Sequence, residues 1–240
     1  MLGAILVFAV LTTLITSIFV YYLPIIKKNA EFEHEKELID RFLEIVNGYP
    51  NCDLELRLGG GGTIFDPMET SATLETNVSG HIILELFNGT RFFLRKIDLG
   101  CLNLTIYNTR IEDVKLVFAD RGVLMTDFKR RIVLDEPDFN VERNGKSVEI
   151  ILYNFTSKPE ELAGNGFGFV KVRADFKTYR FDNITEILLN VRDSIFSWNS
   201  TLERVGFVKG SSGWILSASS LGYGNLSVEL TIYDVDVELY

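Results

Sequence analysis

The sequence predicts an α+β protein, with a long N-terminal apolar α-helix followed by an antiparallel, β-sandwich-like globular domain. The first 26 residues of the 240-residue chain carry no charged side chain, which is typical of a helix in an apolar environment. From Cys52 onward, short runs rich in Val, Ile, Phe and Tyr alternate with Gly, Asn, Asp and Pro, as strands and turns do. We therefore divide the chain into a stem, residues 1–47, and a β-rich domain, residues 48–240.

The stem begins with a run whose only polar side chains are hydroxyls. From Leu2 to Ile26 this run would be about 38 Å long as a helix, which is enough to cross a bilayer. Pro24 lacks an N–H group and is expected to kink the helix or loosen one turn. The side chains expected to contact lipid or neighbouring helices are Leu2, Ile5, Leu6, Phe8, Leu11, Leu14, Ile15, Ile18, Phe19, Tyr22 and Pro24.

The flanks of this run favour a retained anchor over a cleaved signal peptide. An interfacial anchor is predicted at its end by Tyr21, Tyr22, Lys27 and Lys28. A secretory signal peptide would have a basic residue before the run, a shorter apolar core and an Ala-x-Ala site after it, and none of these is visible. The visible start is then either a processed N-terminus or a true Met1.

The second half of the stem predicts an amphipathic continuation of the same helix. A stripe at three- and four-residue steps is formed by Phe32, Glu35, Ile39, Phe42, Leu43 and Val46. Asn47-Gly48 followed by Pro50 is a helix-ending signal. Residues 2–47 are therefore expected to form one helix of about 70 Å. Its first half must be surrounded by lipid or by copies of itself, because it is apolar on all sides.

The β-rich domain is predicted from strand-like runs and from two Asn-Gly turns, at Asn88 and Asn144. The runs are 53–58, 81–87, 91–97, 101–107, 114–119, 131–136, 147–155, 167–176 and 225–240. In the last run the alternation slips at Tyr233-Asp234, which predicts a bulge or a crossing between sheets. Residues 184–206 are predicted to form a helix that ends at Gly206.

Acceptor motifs for N-linked glycans favour a location outside the cytoplasm, the alternative being that Asn and Thr are both common in β-turns and at strand edges. The Asn-x-Ser/Thr pattern occurs at seven of the 15 asparagines, more often than the Ser and Thr content predicts. These are Asn77, Asn88, Asn103, Asn154, Asn183, Asn199 and Asn225. In an exported protein, the pair Cys52 and Cys101 predicts one disulfide, with two buried thiols as the alternative.

No pattern in the sequence predicts catalysis, a metal or a cofactor other than these glycans. The net charge of −9 argues against nucleic-acid binding, which needs a basic surface. The two histidines, His34 and His81, have no zinc-ligand spacing, and no nucleophile motif is visible. The four glycines at 59–62 lack the Lys and Ser/Thr of a phosphate loop, so a surface loop is expected there. We do not expect an enzyme.

The chain resembles archaeal type IV pilin-like proteins, the subunits of surface filaments, whose processed form begins with an apolar helix and ends in a β-rich domain. The residues that carry the resemblance are GAILVFAVLTTLITSIFVYYLPIIKKNAEFEHEKELIDRF at the start, and LGGGGTIFDPMETSATL, VLMTDFKRRIVLDEPDF and LAGNGFGFVKVR further along. Bacterial type IV pilins commonly have Glu at the fifth position, where this chain has Ile5, a departure that favours the archaeal group.

The resemblance implies a structural subunit of an extracellular filament that polymerises through its N-terminal helix and serves adhesion or surface attachment. Its partners would be further copies of itself, the cytoplasmic membrane before assembly and the pilus assembly machinery. The alternative is a membrane-anchored extracellular binding module or a minor pilin. Both use the same stem, so the sequence leaves them open.

Overall fold

The computed structural model describes residues 2–60, 69–127 and 129–240. One helical run occupies the N-terminus, formed by α1 (Leu2–Ser17), a π-helical turn (Ile18–Tyr22) and α2 (Leu23–Gly48). A mostly antiparallel β-rich domain follows. The predicted α+β class, with a long apolar helix before a β domain, is confirmed.

The π-helical turn explains how the helix passes Pro24. The Leu23 N–H group donates to the carbonyl of Ile18, five residues earlier. In a regular α-helix the proline ring would clash with the carbonyl four residues before it, that of Val20. Widening the preceding turn removes this conflict, so the loosening that was expected at Pro24 takes the form of a π-turn.

Fourteen strands in the described residues form two sheets. The smaller sheet has, in spatial order, β1 (Cys52–Arg57), β10 (Phe167–Ile184), β14 (Leu226–Leu239), β8 (Ser147–Phe155) and β7 (Val141–Asn144). The larger has β12 (Val208–Lys209), β13 (Trp214–Ser217), β11 (Glu186–Arg192), β2 (Ser71–Phe87), β3 (Arg91–Tyr107), β4 (Val114–Ala119), β5 (Gly122–Thr126) and β6 (Arg131–Asp135), and β9 (Glu161–Gly164) also pairs with β2. Strand β8 runs parallel to β14.

Four long strands connect two opposite ends of the domain. Strands β2, β3, β10 and β14 have 17, 17, 18 and 14 residues, or about 46–60 Å at 3.3 Å per residue. The end beside the helix, the stem end, contains Ser71, Tyr107, Phe167 and Leu239. The opposite end, the distal end, contains Phe87, Arg91, Ile184 and Leu226.

Both Asn-Gly turns connect antiparallel strands, as predicted. Asn144 pairs with Ser147, so β7 and β8 are joined by the two residues Gly145 and Lys146, and Gly145 has the positive φ of 61° that such turns favour. Phe87 pairs with Arg91, so the β2–β3 turn has three residues and not the expected two.

The predicted helix over 184–206 is wrong for most of its length. Its first part is β11, and only Asn199–Val205 forms a helix, α3. β11 lies between β2 and β13, and its fully buried Ile187 and Leu189 follow a two-residue alternation that the run of apolar residues hides. Gly206 does end α3, with a φ of 106° and its N–H group bonded to the carbonyls of Leu202 and Glu203.

Buried side chains form two core clusters at the two ends of the domain. The stem-side cluster combines α2 and β1 with the first part of β2, the last part of β3 and β4. The distal cluster combines the second part of β2 and the first part of β3 with β8, β11, β13 and α3. Helix α2 contributes to the stem-side cluster only.

Strands β3 and β14 each contribute to both clusters through opposite faces. In β3 the buried face changes between Cys101 and Leu102, and in β14 it changes between Ile232 and Val235. Successive side chains of a strand point to opposite faces, so the two clusters lie on opposite sides of these strands. The bulge or sheet crossing predicted at Tyr233-Asp234 is wrong, because pairing with β10 and β8 continues in register there.

The docked face of α2 differs from the predicted stripe. Leu38, Phe42 and Ile45 are at most 1% exposed, whereas Phe32 is 55% exposed. Ile39, Leu43 and Val46 pack only at the edge of the stem-side cluster. The buried stripe is therefore rotated by about one residue, or 100°, from the one that the sequence suggested.

Candidate functional site

The outer half of the N-terminal helix is not buried by any of the residues that the structure describes. The helix Gly3–Gly48 is long and apolar enough to cross a membrane by length and composition, with a mean hydropathy of 2.4 in its most apolar window, none of which is buried. The predicted contact residues are exposed: Ile5, Leu6, Phe8, Leu11, Leu14, Ile15, Ile18, Phe19, Tyr22 and Pro24. Leu2 is the first residue of α1. Because consecutive residues turn by 100°, these side chains surround the helix on all sides.

The Thr and Ser hydroxyl groups of this half do not interrupt its apolar surface. Thr12, Thr13, Thr16 and Ser17 each donate to the carbonyl four residues earlier, at 2.7–2.8 Å. A hydroxyl that is bonded to its own helix does not need a water or lipid partner. The outer half therefore presents a surface suited to a membrane or to packing against other apolar helices.

An ion-pair network, the junction network, holds α2 where it leaves the domain. Glu31 is fully buried and accepts from the Arg110 guanidinium at 2.8 Å and from the Arg110 backbone N–H at 2.8 Å. Arg110 also pairs with Glu69 at 2.7 Å, and Glu69 bonds to Lys27. Hydrogen bonds from Lys27 and Arg110 lower the pKa of the Glu69 carboxyl. The network joins α2 to the β3–β4 loop and to the chain before β2.

The Lys27 side chain therefore faces the domain, while the interfacial anchor of Tyr21, Tyr22, Lys27 and Lys28 stays a prediction. The Lys27 side chain is only 14% exposed. One turn beyond Glu31, Glu35 accepts from the Asn108 side chain at 2.7 Å. Burial raises the pKa of Glu35, and this hydrogen bond opposes the rise. Several polar contacts at successive turns fix the direction in which the helix leaves the domain.

Sequence analysis missed Glu31, Glu69 and Arg110. A signal for the first was present, because Lys27, Glu31 and Glu35 recur every four residues and share one helix face. That face continues into the buried stripe of α2. Arg110 gave no local signal, because 79 positions separate it from Glu31.

The seven predicted acceptor asparagines occupy different environments. Asn77, Asn88, Asn183, Asn199 and Asn225 are exposed. Asn103 is only 8% exposed in β3, and Asn154 is half-buried with its amide donating to Asp234 at 2.8 Å. A glycan on Asn103 does not fit the folded domain, which corrects the prediction at that position.

The predicted disulfide between Cys52 and Cys101 is not formed in this structure. Both are free thiols. Cys52 lies at the start of β1 beside the stem-side cluster, and Cys101 lies in β3 with its side chain in the distal cluster. The two side chains therefore belong to different sheets and to different core clusters, and burial raises the pKa of each thiol.

A buried polar group lies between the two clusters. Asp120 and Arg121 form the two-residue turn between β4 and β5, with positive φ values of 49° and 61°. Asp120 accepts from the Ser194 hydroxyl at 2.8 Å, while Arg121 pairs with Asp138 at 2.6 Å. Burial raises the pKa of Asp120 to about 6. The adjoining cavity of about 50 Å³ has room for water molecules but not for a substrate.

The described residues contain no group of three His, Cys, Asp or Glu side chains that could hold a metal ion. Of the predicted glycine loop, Gly59 and Gly60 are described and precede β2 at the stem end. Gly61 and Gly62 lie outside the described residues. Within the described residues, neither the acidic and sulfur side chains nor these two glycines indicate a candidate site besides the N-terminal helix.

Comparison with known proteins identifies no relative: no protein-family model, no curated protein and no solved structure matches the chain.

Proposed function

We propose that the chain is a structural subunit of an extracellular, archaeal type IV pilus-like filament. One observation carries the proposal. A helix that is apolar on all sides and exposed in its outer half continues without interruption into a half that is docked in the domain core. Such a helix must bury its outer half, and the junction network ties it to the domain where it leaves the core.

The same helix would serve in two successive environments. Before assembly it lies in the cytoplasmic membrane, where its length and hydropathy suit a single span. The pilus assembly machinery then transfers it to the filament, where stems of further copies surround it. Burial of apolar surface contributes about 25 cal/mol per Å², so a stem buried on all sides contributes tens of kcal/mol before entropy is subtracted. The β-rich domain faces outward and serves adhesion or surface attachment.

Electron microscopy of purified surface appendages tests the proposal. Fibres that contain this chain as their main component are expected. A substitution that enlarges the helix without making it polar separates a filament from a membrane anchor: Ala9→Phe preserves insertion in lipid but disturbs packing between helices, so fibres should be lost while membrane fractionation is unchanged. Thr13→Val, which keeps the side-chain shape, is the matched control and should leave fibres intact.

The second candidate is a membrane-anchored extracellular binding module or a minor pilin. It is favoured by the same exposed span, which meets the requirements of an anchor without assembly. Stoichiometry separates the candidates, because a minor pilin would be rare in fibres and an anchor absent from them. A wild-type protein that is always a dispersed, detergent-requiring monomer would contradict the filament proposal.

A further inference from the structure

The seven glycan acceptor motifs differ in how the fold uses their polar groups. An N-linked glycan is attached to the Nδ2 atom of the asparagine, and the motif also requires the hydroxyl group two residues later. A motif on a folded surface can be modified where the amide is exposed and both groups are free of other hydrogen bonds.

Two motifs meet the criterion. Asn88 lies in the three-residue turn at the distal end, and its partner hydroxyl is that of Thr90. Asn199 is the first residue of α3, and its partner hydroxyl is that of Thr201. Both asparagines are exposed, and within the described residues none of the four side chains makes a hydrogen bond.

Three motifs have at least one group engaged in or between the sheets. Asn103 is buried in β3. The amide of Asn154 bridges Asp234 and the backbone N–H of Asp98, and its partner hydroxyl, on Thr156, donates to the Val235 carbonyl at 2.9 Å. The remaining member is Asn77, whose Oδ1 accepts from the next backbone N–H at 2.8 Å and whose partner Ser79 donates to the Leu99 carbonyl at 3.0 Å.

The last two motifs are bonded to each other. The Asn225 amide nitrogen donates to Asn183 Oδ1 at 3.0 Å. The partner hydroxyl of Asn183, on Thr185, donates to the Phe87 carbonyl at 3.1 Å and accepts from the backbone N–H of the β2–β3 turn at 3.1 Å. The partner hydroxyl of Asn225, on Ser227, donates to Asp182 at 2.8 Å. These four side chains close the distal end of the domain.

We propose that the folded protein carries its glycans at Asn88 and Asn199, and that the other five motifs serve the fold. The co-reactant is a lipid-phosphate-linked oligosaccharide. A bond forms between Nδ2 and the anomeric carbon of the sugar, the bond from that carbon to the phosphate oxygen breaks, one amide proton is lost and the lipid phosphate is released. The inference rests on the extracellular placement that is part of the proposed function.

The two sites share one region of the molecule. Asn88 ends the strand pair whose buried side chains build the distal cluster, and the buried residues of α3, Leu202 and Val205, belong to the same cluster. Helix α2 packs on the stem-side cluster alone. Glycans at these two sites would therefore cover the distal half and leave the surface around the stem bare.

Glycopeptide mapping of the full-length protein, purified from the cells that make it, tests the proposal. The occupancy of Asn88 and of Asn199 should each exceed that of every other motif. Thr90→Ala and Thr201→Ala should each remove the mass of one glycan, whereas Thr90→Ser should retain it. Thr185→Ala and Ser227→Ala should leave the glycan mass unchanged while lowering the midpoint of thermal unfolding.

Equal or higher occupancy at any of the other five motifs overturns the proposal. A protein that lacks the glycan at Asn88 or the glycan at Asn199 overturns it as well. The map can be measured on dispersed protein as well as on fibres. Its outcome is therefore independent of whether the filament forms, and the absence of filaments would not alter the map.

Discussion

The two halves of the N-terminal helix are equally helical but depend on different surroundings. The inner half buries Leu38, Phe42 and Ile45 in the domain and pairs its one buried carboxylate, on Glu31, with Arg110. Among the residues that the structure describes, the outer half has no such partners, and its side chains are apolar on every face. Stability of the domain should therefore depend on the inner half, while location and assembly should depend on the outer half.

The largest effect on the domain is expected from Phe42→Ala. Phe42 is fully buried in the stem-side cluster, and truncating a buried Phe costs about 3–5 kcal/mol. Phe32→Ala is the matched control, because Phe32 is exposed on the same helix, and it should change the free energy of unfolding by less than about 0.5 kcal/mol. Urea unfolding of the full chain in mild detergent measures both. Equal losses would show that the docked face has been assigned incorrectly.

The converse variant, Leu11→Arg, should affect the outer half alone. An arginine near the centre of a span costs about 2.5–3.5 kcal/mol in membrane insertion, so the protein should move from the membrane fraction and fail to form fibres. Its urea midpoint should equal that of the wild type. Leu11→Met is the conservative control. Unfolding of the domain by Leu11→Arg would contradict the independence of the two halves.

Removing the Arg110 guanidinium from the junction network should lower the free energy of unfolding by somewhat less than Phe42→Ala does. Arg110→Ala removes the guanidinium hydrogen bond from the buried Glu31 and keeps the one from the backbone N–H, and a hydrogen bond to a charged group contributes about 1.5–3 kcal/mol. Arg41→Ala breaks the exposed pair Arg41–Glu44, whose side chains are 55% and 54% exposed, and should cost less than about 0.5 kcal/mol. Chemical unfolding of both variants gives the difference. A small loss for Arg110→Ala would mean that the network does not hold the helix.

The smallest change in the free energy of unfolding is expected at a second carboxylate, on Asp120. Unlike Glu31, Asp120 is bonded to a neutral hydroxyl, and its pKa is raised to about 6 from 3.8. Between these values the Asp120 carboxyl binds more protons in the folded state than in the unfolded state, so its contribution to the free energy of unfolding should decrease as pH rises from about 4 to 6. Asp120→Asn should remove this slope and stabilise the protein at pH 7 by about 1–3 kcal/mol.

The raised pKa of Glu35 makes its contribution to the free energy of unfolding decrease with rising pH as well. The Asp120 comparison is therefore made in a Glu35→Gln background, in which only one of the two carboxyls titrates. A pH profile that Asp120→Asn leaves unchanged would show that this carboxyl ionises normally in the folded protein.

Composition was enough to predict the helix, its apolar half and the β-rich domain, because these depend on local runs of residues. The docked face was not predicted correctly. A stripe through Phe32 and a stripe through Glu31 differ by one residue, and the apolar character of Phe32 favoured the wrong one. Glu31 is buried only because Arg110 meets it from a distant loop, and this contact has no local signature.

The same limit explains β11 and the acceptor motifs. Ile187, Leu188 and Val191 fit a helical step, whereas Ile187 and Leu189 fit a strand period, and the neighbouring strands decide between the two. The motif at Asn103 is identical in form to that at Asn88, but its place within β3 buries it. Sequence therefore locates every motif, while the fold decides which of them reaches solvent.

The exchange of buried faces along β3 and β14 has a mechanical consequence. Each of these strands contributes side chains to both clusters, so neither cluster can lose its strands while the other stays intact. The domain is expected to unfold as one cooperative unit. A pull applied through the stem would enter at α2 and spread along strands that connect both ends of the domain. Many ladder hydrogen bonds would then have to break together.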